Sequence, residues 1–406
     1  MITRTTRLGL LAATLAIVAS ACSGAATPTP APSVAPSVAP SVAPSVAPSV
    51  AASVAPSVEP SPSPAMAPKL KIGVVTDVGT LDDKNFNEFS YAGAVAGAAD
   101  IGSDKPPAIV TQNTADYAKN IQSFVDQKYD VIVTIGFAIG NDTAAAALAN
   151  PGVKFIGVDQ GVCVDETGKV DPTYACKGDP TKLLPNYQGL TFKEDQPGYL
   201  AGVVAASISK SGVVGAIGGT TTIPPVVRYV EGFYLGAIAT NPNVKVKIGW
   251  VSDDLGKAFN DPAGGKLFTQ QFIKANKGLD VMFQVAGKTG NGILAAACDA
   301  KIYGIGVDVD QHLSLPAGPE TACIVTSAEK MLANAVELAI SKIGAGKDVG
   351  GTIVNDATNN GIGLAPYYDF ASLITPPIQA KIDAALAGIK DGSIKTDTPL
   401  PAEFLK

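Results

Sequence analysis

The chain has few of the groups on which most enzymes depend. Among its 406 residues there is one histidine, His312. It contains no Gly-x-Ser-x-Gly nucleophile motif and no glycine-rich phosphate loop, so carboxylates are the main candidates for chemistry. After Val18 no apolar run approaches the roughly 20 residues that a membrane-spanning helix needs. We therefore expect neither an enzyme nor a membrane-spanning body.

Clusters of positive charge are also lacking. The formal net charge is −6, from 30 basic and 36 acidic residues. Loss of Arg4 and Arg7 with an N-terminal leader would leave 28 basic residues and a net charge of −8. Surfaces that bind nucleic acids are rich in lysine and arginine. We therefore expect no nucleic-acid partner.

The N-terminal end has the pattern of an export signal. Arg4 and Arg7 precede an apolar stretch from Leu8 to Val18, and three small residues then lead to Cys22. Small residues before a cysteine resemble a bacterial lipoprotein cleavage site, which predicts a signal peptide over residues 1–22 and a lipid on Cys22. Because more than one acyl chain anchors a protein stably, we expect attachment to the extracytoplasmic face of the cell membrane. The alternative is an ordinary signal peptide whose removal leaves a free thiol.

Residues 23–68 are of low complexity and consist mostly of Ala-Pro-Ser-Val repeats. Proline at every fourth position fixes φ and excludes a regular helix, and this composition cannot bury a core. In the polyproline II conformation such a segment reaches on the order of 130 Å, at about 3.1 Å per residue. We interpret it as a tether between the membrane anchor and a globular body that begins near residue 69.

Four cysteines follow the tether: Cys163, Cys176, Cys298 and Cys323. In an exported protein such cysteines are expected to form disulfides. We favour the pairs 163–176 and 298–323, because the first two flank a loop rich in Asp, Gly and Pro. The other two lie near the end of a helix and at the start of a strand two elements later. All three possible connectivities stay open, whereas zinc is disfavoured because the spacing fits no zinc-finger pattern.

From residue 69 onward, short apolar runs alternate with helical patterns rich in alanine and glycine. Strands are predicted at Ile72–Thr76, Ala108–Thr111, Val131–Ile135, Val153–Val158, Val213–Ile217, Val244–Trp250, Asp280–Gln284, Ile302–Val307 and Cys323–Thr326. Helices are predicted at Asp116–Gln127, Gln196–Ser209, Pro225–Ala239, Gly290–Cys298 and Ala328–Ile343. This alternation predicts an α/β protein with parallel sheets covered on both faces. One set of elements precedes about residue 186 and another follows it, so we expect two doubly wound lobes that face each other across a cleft.

Polar residues gather where the predicted strands end. The strand Ile72–Thr76 is followed by Asp77, by a polar loop over residues 78–85, and by a helix that opens at Phe86 and Asn87. Ligands of open α/β sheets bind at the carboxyl ends of the strands. Because this loop contains no nucleophile–base pair, it predicts a binding site and not a catalytic one.

Six such polar clusters together resemble a known family. They comprise residues 76–77 with 81–87, 192–202, 218–219 with 223–226, 259–262, 286–287 with 290–292, and 306–311. Their order and spacing are similar to those of the basic membrane protein family of lipoproteins, the purine-nucleoside-binding components of ABC importers. The resemblance extends from about Leu70 to Pro401. Its Asp-Asp-Lys-x-Phe-Asn and Gly-Val-Asp-x-Asp-Gln elements are specific in combination and weak apart.

The resemblance implies a type I periplasmic-binding fold in which a three-crossing hinge joins the lobes. It implies an N-terminal lobe of residues 69–190 plus 310–358 and a C-terminal lobe of residues 191–309 plus 359–406. It also implies a monomer without a cofactor or metal. Such a protein captures a nucleoside, preferentially a purine, between its lobes and delivers it to an ABC permease.

The family's base-binding residues carry over position by position. Phe86 and Phe259 match the two aromatic rings between which the base is stacked. Asp77 matches the carboxylate that reads the base edge, and Asp159 is a looser match to a second base contact. Asn87 lies beside Phe86 in the same element, and we expect it to bind the ligand as well.

The residues that hold the sugar carry over in the same way. Asp308 and Lys330 match the pair that holds the ribose hydroxyls, and Gly287 matches a backbone contact beside the sugar. Both polar residues have plainer alternatives. Asp308 could form hydrogen bonds within the hinge, and Lys330, predicted one turn into a helix, could be a solvated lysine.

The first polar loop also has plainer interpretations. Phe86 could be the first core residue of its helix. Asp82 and Asp83 could cap the helix N-terminus without touching a ligand, because carboxylates at that position accept hydrogen bonds from free N–H groups.

Two other functions use similar residues. A type I binding lipoprotein for a sugar or an amino acid would also combine aromatic rings with acidic side chains. Asp77, Asp82 and Asp83 on one loop also resemble the aspartate cluster that nucleoside hydrolases place on calcium. Calcium needs further oxygen ligands, and the lipoprotein pattern fits a hydrolase less well. We therefore favour a nucleoside-binding protein.

Overall fold

The computed structural model describes residues 69–171, 175–348 and 350–405. The predicted signal peptide, Cys22 and the tether lie outside these described residues. Within them, no helix combines the length and the apolar composition that crossing a membrane requires.

In this part of the chain twelve strands form two six-stranded sheets. They are β1 (Ile72–Thr76), β2 (Ala108–Val110), β3 (Val131–Ile135), β4 (Lys154–Val158), β5 (Tyr187–Phe192), β6 (Val213–Gly218), β7 (Lys245–Trp250), β8 (Val281–Val285), β9 (Tyr303–Asp308), β10 (Ile324–Lys330), β11 (Gly351–Asn355) and β12 (Ile362–Leu364). The first sheet has the order β11-β5-β4-β3-β1-β2 and is wholly parallel. The second has the order β12-β10-β9-β8-β6-β7, in which β12 runs antiparallel to β10.

Helices connect most of the strands. They are α1 (Phe86–Asp100), α2 (Tyr117–Asp126), α3 (Gly140–Ala149), α4 (Pro180–Leu183), α5 (Asp195–Ile208), α6 (Pro224–Thr240), α7 (Leu255–Asn260), α8 (Pro262–Ala275), α9 (Gly287–Asp299), α10 (Gln311–Ser314), α11 (Leu332–Gly344) and α12 (Pro376–Lys390). The central strands β1, β3 and β8 are buried at every position, as expected for parallel strands covered by helices on both faces. The predicted α/β class with two doubly wound lobes is thus confirmed.

The chain passes between the lobes three times, as predicted. It leaves the first sheet after Phe192 in β5 and returns after Lys330 in β10 to form α11. Helix α11 packs on α1 so closely that a Cβ added at Gly93 would overlap the Ala333 carbonyl. The third crossing runs from Asn355 in β11 to β12.

One predicted lobe boundary is wrong. The resemblance implies that residues 310–358 belong to the first lobe, but Ile324–Lys330 is β10 of the second sheet. This segment pairs in parallel with β9 and is largely buried, because its apolar residues complete the core of the second lobe. The first lobe therefore resumes only after Lys330. The helix predicted from Ala328 begins at Leu332 instead.

Three strands are absent from the prediction. In β5, Gln188, Gly189 and Thr191 interrupt the apolar pattern. Strand β11 is an edge strand with exposed positions, and β12 has three residues. None of them is the continuous apolar run that identifies a buried strand in a sequence.

Two helices of the second lobe, α5 and α6, lie very close together. A Cβ at Gly202 would overlap the Phe233 carbonyl, and one at Gly236 would overlap the Tyr199 carbonyl. Glycine at these contacts lets the two backbones approach each other. This close packing brings the start of α5 next to Arg228 of α6, where the partly exposed guanidinium pairs with the buried Glu194.

Both favoured disulfides are present. Cys163 is bonded to Cys176, and Cys298 is bonded to Cys323. The first closes a loop that follows β4. The second joins the end of α9 to the residue before β10, which is the relationship expected from the predicted elements.

Candidate functional site

A cavity lies between the two lobes. The first lobe lines it with Asp77, Val78, Asp83, Phe86, Asn87, Gly136, Phe137 and Asp159. The second lobe lines it with Ile223, Pro225, Val226, Tyr229, Leu255, Phe259, Val285, Gly287, Asp308 and Lys330. The tertiary structure therefore brings together all eight residues that we expect to bind a ligand, although they are scattered along the sequence.

The polar cavity residues come from strand ends. Asp77 and Asp159 directly follow β1 and β4, and Asp308 and Lys330 are the last residues of β9 and β10. Because the carboxyl ends of parallel strands meet at one edge of a sheet, each lobe presents its polar groups at that edge. The two edges face each other across the cavity.

Each lobe contributes a phenyl ring to the cavity wall. Phe86 is the first residue of α1, and Phe259 lies in α7. Both rings are partly buried, and Phe137, after β3, adds a third ring that is not among the residues predicted from the sequence. Apolar walls of this kind suit a flat, uncharged ring system.

Lys330 is the centre of a buried charge cluster. It is 4% exposed, and its Nζ donates a hydrogen bond to Asp159 Oδ2 at 2.7 Å. Glu194 Oε1 and Asp308 Oδ1 each lie 3.5 Å from the same nitrogen. The ammonium also lies over the Phe86 ring, 5.0 Å from its centroid. The predicted helical position of Lys330 is therefore wrong: it ends a strand and is buried.

Burial and ion pairing act in opposite directions on this cluster. Burial raises the pKa of Asp308 to about 6, although Lys330 lowers it. Burial also raises the pKa of Glu194, against the effect of Lys330 and Arg228. Burial lowers the pKa of Lys330, but Asp159, Asp308 and Glu194 together raise it above its ordinary value. Lys330 is therefore a permanent cation, while Asp308 can change its protonation state near neutral pH.

Asp159 and Asp308 share an unusual backbone conformation. Their φ angles are +60° and +64°, in the left-handed region that non-glycine residues rarely adopt. Such strain is common at ligand sites, where the surrounding structure imposes it. Here both strained residues line the cavity wall.

Asp77 lines the cavity, but its carboxylate also has protein partners. Oδ1 accepts hydrogen bonds from the Tyr117 hydroxyl and from the Val78 N–H, and Oδ2 accepts one at 3.3 Å from the Ala138 N–H. Burial raises the Asp77 pKa, while these hydrogen bonds lower it. Asp77 thus joins β1 to the loop after β3 and to α2. A ligand that it contacts must share these oxygens.

Asp83 caps the helix that presents Phe86. Its carboxylate accepts hydrogen bonds from the backbone N–H groups of Asn85, Asn87 and Glu88, at 2.8, 2.8 and 3.1 Å. The capping alternative is therefore correct for Asp83, which nevertheless also lines the cavity. Asp82 instead pairs with Lys84 on the surface.

Two buried cavity acceptors have no hydrogen-bond donor among the described residues. They are Asp159 Oδ1 and Asn87 Oδ1. Buried polar atoms are nearly always hydrogen-bonded, since an unpaired one costs about 1–3 kcal/mol. These two atoms are therefore natural positions for hydrogen-bond donors of a ligand.

Besides the bond from Lys330 to Asp159, hydrogen bonds from Asn291 and Ser314 of the second lobe reach the first lobe beside the cavity. Asn291 Nδ2 in α9 donates to the Asp83 carbonyl at 3.0 Å, and Ser314 Oγ in α10 donates to the Lys84 carbonyl at 2.7 Å. Both acceptors lie in the loop that precedes Phe86. The first lobe's loop is thus held against the second lobe, and the structure represents a closed form.

Several residues around the site could not be predicted from the sequence. Glu194 lies in one of the six clusters, yet nothing in the sequence pairs it with Arg228 or Lys330. Tyr229 lines the cavity from within α6, where its helical spacing resembles that of a core residue. Tyr117 has no local signal, because its partner Asp77 is 40 residues away.

The fold and the site together define a class of protein. Two parallel-sheet lobes, three crossings and a cavity between the strand ends define a solute-binding protein of the periplasmic-binding type. A solved ABC transporter solute-binding protein from Aeropyrum pernix K1 has the same fold. The two match with a TM-score of 0.69 over 82% of this chain and 95% of that chain, at 22% sequence identity.

The chain belongs to the Bmp family, the PnrA-like substrate-binding proteins of ABC transporters, whose model matches residues 70–387. A Lactococcus lactis relative, named ABC transporter nucleoside-binding protein BmpA, is 27% identical over 82% of this chain and 87% of its own. A Listeria monocytogenes protein named CD4+ T-cell-stimulating antigen is 28% identical over 80% and 87%. The protein is therefore an extracytoplasmic transport component and not an enzyme.

Proposed function

We propose that the protein captures a nucleoside, preferentially a purine nucleoside, between its lobes and delivers it to an ABC permease. The observation that carries the proposal is the composition of the cavity. It combines a phenyl ring from each lobe with acidic side chains and one buried ammonium group. The name of the Lactococcus lactis relative, a nucleoside-binding protein, supports the same ligand class.

The two rings account for affinity. Stacking of a nucleobase on an aromatic side chain contributes roughly 1–3 kcal/mol. Contacts of Phe86 and Phe259 with the two faces of one base would supply much of the binding free energy of a micromolar complex. Stacking accepts any base, so the choice among bases must come from hydrogen bonds.

The acidic side chains account for selectivity. Asp77 and Asp159 are suited to accept hydrogen bonds from purine N–H groups, and Asp159 Oδ1 is free to do so. Asp308 and Lys330 offer an acceptor and a donor to the ribose hydroxyls. A buried acceptor left unpaired by the wrong ligand is costly, which favours the ligand that pairs it.

The same charges disfavour nucleotides. The cluster around Lys330 holds the carboxylates of Asp159, Glu194 and Asp308, and Arg228 is already paired with Glu194 at 2.6 Å. A phosphate group placed there would meet like charge in a poorly solvated site. We therefore expect nucleosides to bind and their 5′-phosphates to bind poorly.

A ligand panel tests the proposal. Inosine, guanosine and adenosine should each raise the melting temperature, since a ligand at 100 times its Kd adds about 2.7 kcal/mol of stability. Ribose, glucose and leucine should not. Stabilisation by a sugar or an amino acid, with no effect of nucleosides, would overturn the proposal in favour of another small ligand.

A pair of variants tests the stacking contact. Phe86→Ala should weaken inosine binding by at least about 1 kcal/mol in calorimetry. Phe89→Ala is the matched control, because Phe89 lies on the same helix and packs against the core without lining the cavity. It should lower the melting temperature and leave the Kd unchanged. Equal Kd values for the wild type and Phe86→Ala would remove Phe86 from the site.

The proposal includes a lipid anchor on Cys22, with residues 23–68 as the tether between this anchor and the globular body. Cys22→Ser should move the protein from the membrane fraction to the soluble fraction of cell extracts, with no change in nucleoside affinity. Persistence of the variant in the membrane fraction would exclude lipid on Cys22 as the anchor.

A further inference from the structure

Glu194 is a buried carboxylate just outside the cavity. It is 0% exposed, does not line the cavity wall, and lies at the first crossing between β5 and α5. A buried carboxylate is costly unless cations and hydrogen bonds compensate for its lost hydration. The groups that surround the Glu194 carboxylate therefore indicate what its charge does.

Two cations flank Glu194 from opposite elements. Oε2 accepts a hydrogen bond from Arg228 Nε at 2.6 Å. Oε1 lies 3.5 Å from Lys330 Nζ and accepts no hydrogen bond from any residue that the structure describes. The guanidinium on α6 thus orients the carboxylate so that its second oxygen faces the ammonium group.

Lys330 Nζ is attracted by three carboxylates but donates a hydrogen bond to only one of them. The bonded carboxylate is Asp159, at 2.7 Å, while Asp308 and Glu194 remain at 3.5 Å. Glu194 pulls the ammonium away from the cavity, and the two aspartates pull it toward the cavity. Without the Glu194 charge, the ammonium would move toward the aspartates.

The chain crossings are also joined here. Gln196 Oε1, two residues after Glu194, accepts a hydrogen bond at 2.8 Å from the Ala357 N–H of the third crossing. The Met331 N–H, next to Lys330, donates to the Gly361 carbonyl at 3.0 Å. Glu194 and Lys330 therefore each lie within two residues of a hydrogen bond to the third crossing.

We propose that Glu194 is a positioning residue: held by Arg228, it fixes the Lys330 ammonium at the depth from which Lys330, Asp159 and Asp308 can act on one ligand. This inference rests on the proposed nucleoside function. Glu194 acts through Lys330 and does not touch the ligand.

Glu194→Gln tests the proposal, because it keeps the size and an acceptor for Arg228 but removes the charge. We expect the inosine Kd to rise about tenfold. The midpoint of the pH dependence of Kd should also move to lower pH, because the ammonium moves toward Asp308. The groups that act on Asp308, namely Lys330, Asp159, Asp83 and Tyr229, are all retained in this variant. A purely structural role would lower the melting temperature and leave this midpoint unchanged.

Glu231→Gln is the matched control. Glu231 is a partly buried glutamate on α6 that accepts a hydrogen bond from the Leu400 N–H at 3.4 Å and forms no ion pair with Lys330. Its substitution should change neither Kd nor the midpoint. Glu194→Asp keeps the charge but moves it back by one methylene. It should raise Kd and lower the midpoint pH as Glu194→Gln does, but by smaller amounts.

The outcomes separate the two proposals. If Glu194→Gln has the Kd and the pH midpoint of the wild type, the positioning role is overturned. If only Glu194→Asp folds, the same result in that variant overturns it. Failure of the wild-type protein to bind inosine overturns the proposed function itself.

Discussion

The two lobes contain the same four residues at corresponding places. Residues 156–159 and 305–308 both read Ile-Gly-Val-Asp. Each tetrapeptide completes the fourth strand of its sheet, counted from β2 in the first and from β7 in the second. Both aspartates have positive φ and line the cavity. The local sequence therefore produces the same local structure twice.

The two aspartates differ in their relation to Lys330. Asp308 and Lys330 end neighbouring strands, β9 and β10, of one sheet. Asp159 belongs to the opposite lobe, and its carboxylate lies closer to the Lys330 nitrogen than that of Asp308 does, at 2.7 Å against 3.5 Å. The Asp308 pair can persist when the lobes separate, whereas the Asp159 pair requires them to be closed. Identical segments thus have different roles because the topology gives them different neighbours.

The largest effect should follow from removing the cation that both aspartates share. Lys330→Met leaves three buried carboxylates without it, and removing one partner of a buried pair costs about 3–5 kcal/mol. Urea unfolding should show a loss of this size, and calorimetry should detect no nucleoside binding. Lys274→Met, at an exposed position near the end of α8, is the control and should behave like the wild type. If Lys330→Met were as stable as the wild type, the charge cluster would not contribute to stability, and the difference between the two aspartates would have no energetic consequence.

The next effect separates the two aspartates. Asp159→Asn and Asp308→Asn should each weaken inosine binding by about tenfold, since each loses a charged hydrogen-bonding group. Only Asp159→Asn removes a charge pair between the lobes. Small-angle X-ray scattering of the ligand-free variants should therefore give a larger radius of gyration for Asp159→Asn alone. Equal radii would show that the Asp159 pair does not hold the lobes together.

A smaller effect concerns pH. With a pKa of about 6, Asp308 becomes protonated as the pH falls below 6, and a protonated carboxyl loses part of its capacity to accept ribose hydroxyls. The inosine Kd should therefore rise between pH 7 and pH 5. Asp308→Asn should flatten this dependence in calorimetry at several pH values. A wild-type Kd that is constant over this range would contradict the assignment.

The stability of the ligand-free protein should respond to the same group in the opposite direction. Because the folded-state pKa of Asp308 lies above its ordinary value of 3.8, the folded chain binds this proton more tightly than the unfolded chain does. Ionised Asp308 therefore disfavours folding above pH 6. This cost decreases as the pH falls from about 6 toward 3.8, and Asp308→Asn should remove that contribution from the pH dependence of unfolding.

The smallest effect on ligand binding concerns the glycines of the repeated segment. A Cβ at Gly157 would overlap Gln160 Oε1, and one at Gly306 would lie 2.8 Å from Gln311 Oε1 and overlap Ser327 Oγ. The side chains that carry these atoms are buried and hydrogen-bonded, so they cannot move freely, and each Gly→Ala change should cost about 1–3 kcal/mol, as is typical of overpacking. Thermal unfolding should show similar losses for both, with Kd unchanged. A large loss at one glycine only would show that the two segments are less equivalent than their backbones.

Much of the fold could be predicted because its central strands are continuous apolar runs between helical patterns. The disulfides could be predicted because each joins cysteines close in sequence, 13 and 25 residues apart. The cavity residues could be named because they lie directly at strand ends and match family motifs. The end of strand β10 was harder to predict, because the residues from Ala328 to Lys330 are continuous with the helical pattern that follows them.

The amino-acid sequence by itself determined the α/β class, the two lobes and the strand ends that supply the cavity, because periodicity and chain connectivity are local properties. Only the tertiary structure decided which lobe β10 joins, that Glu194 lies between Arg228 and Lys330, and that Asp77 binds Tyr117. Those contacts join residues 34 to 136 positions apart or depend on which strand lies beside another. Burial also sets the charge state of Asp308, and burial exists only after the lobes have packed.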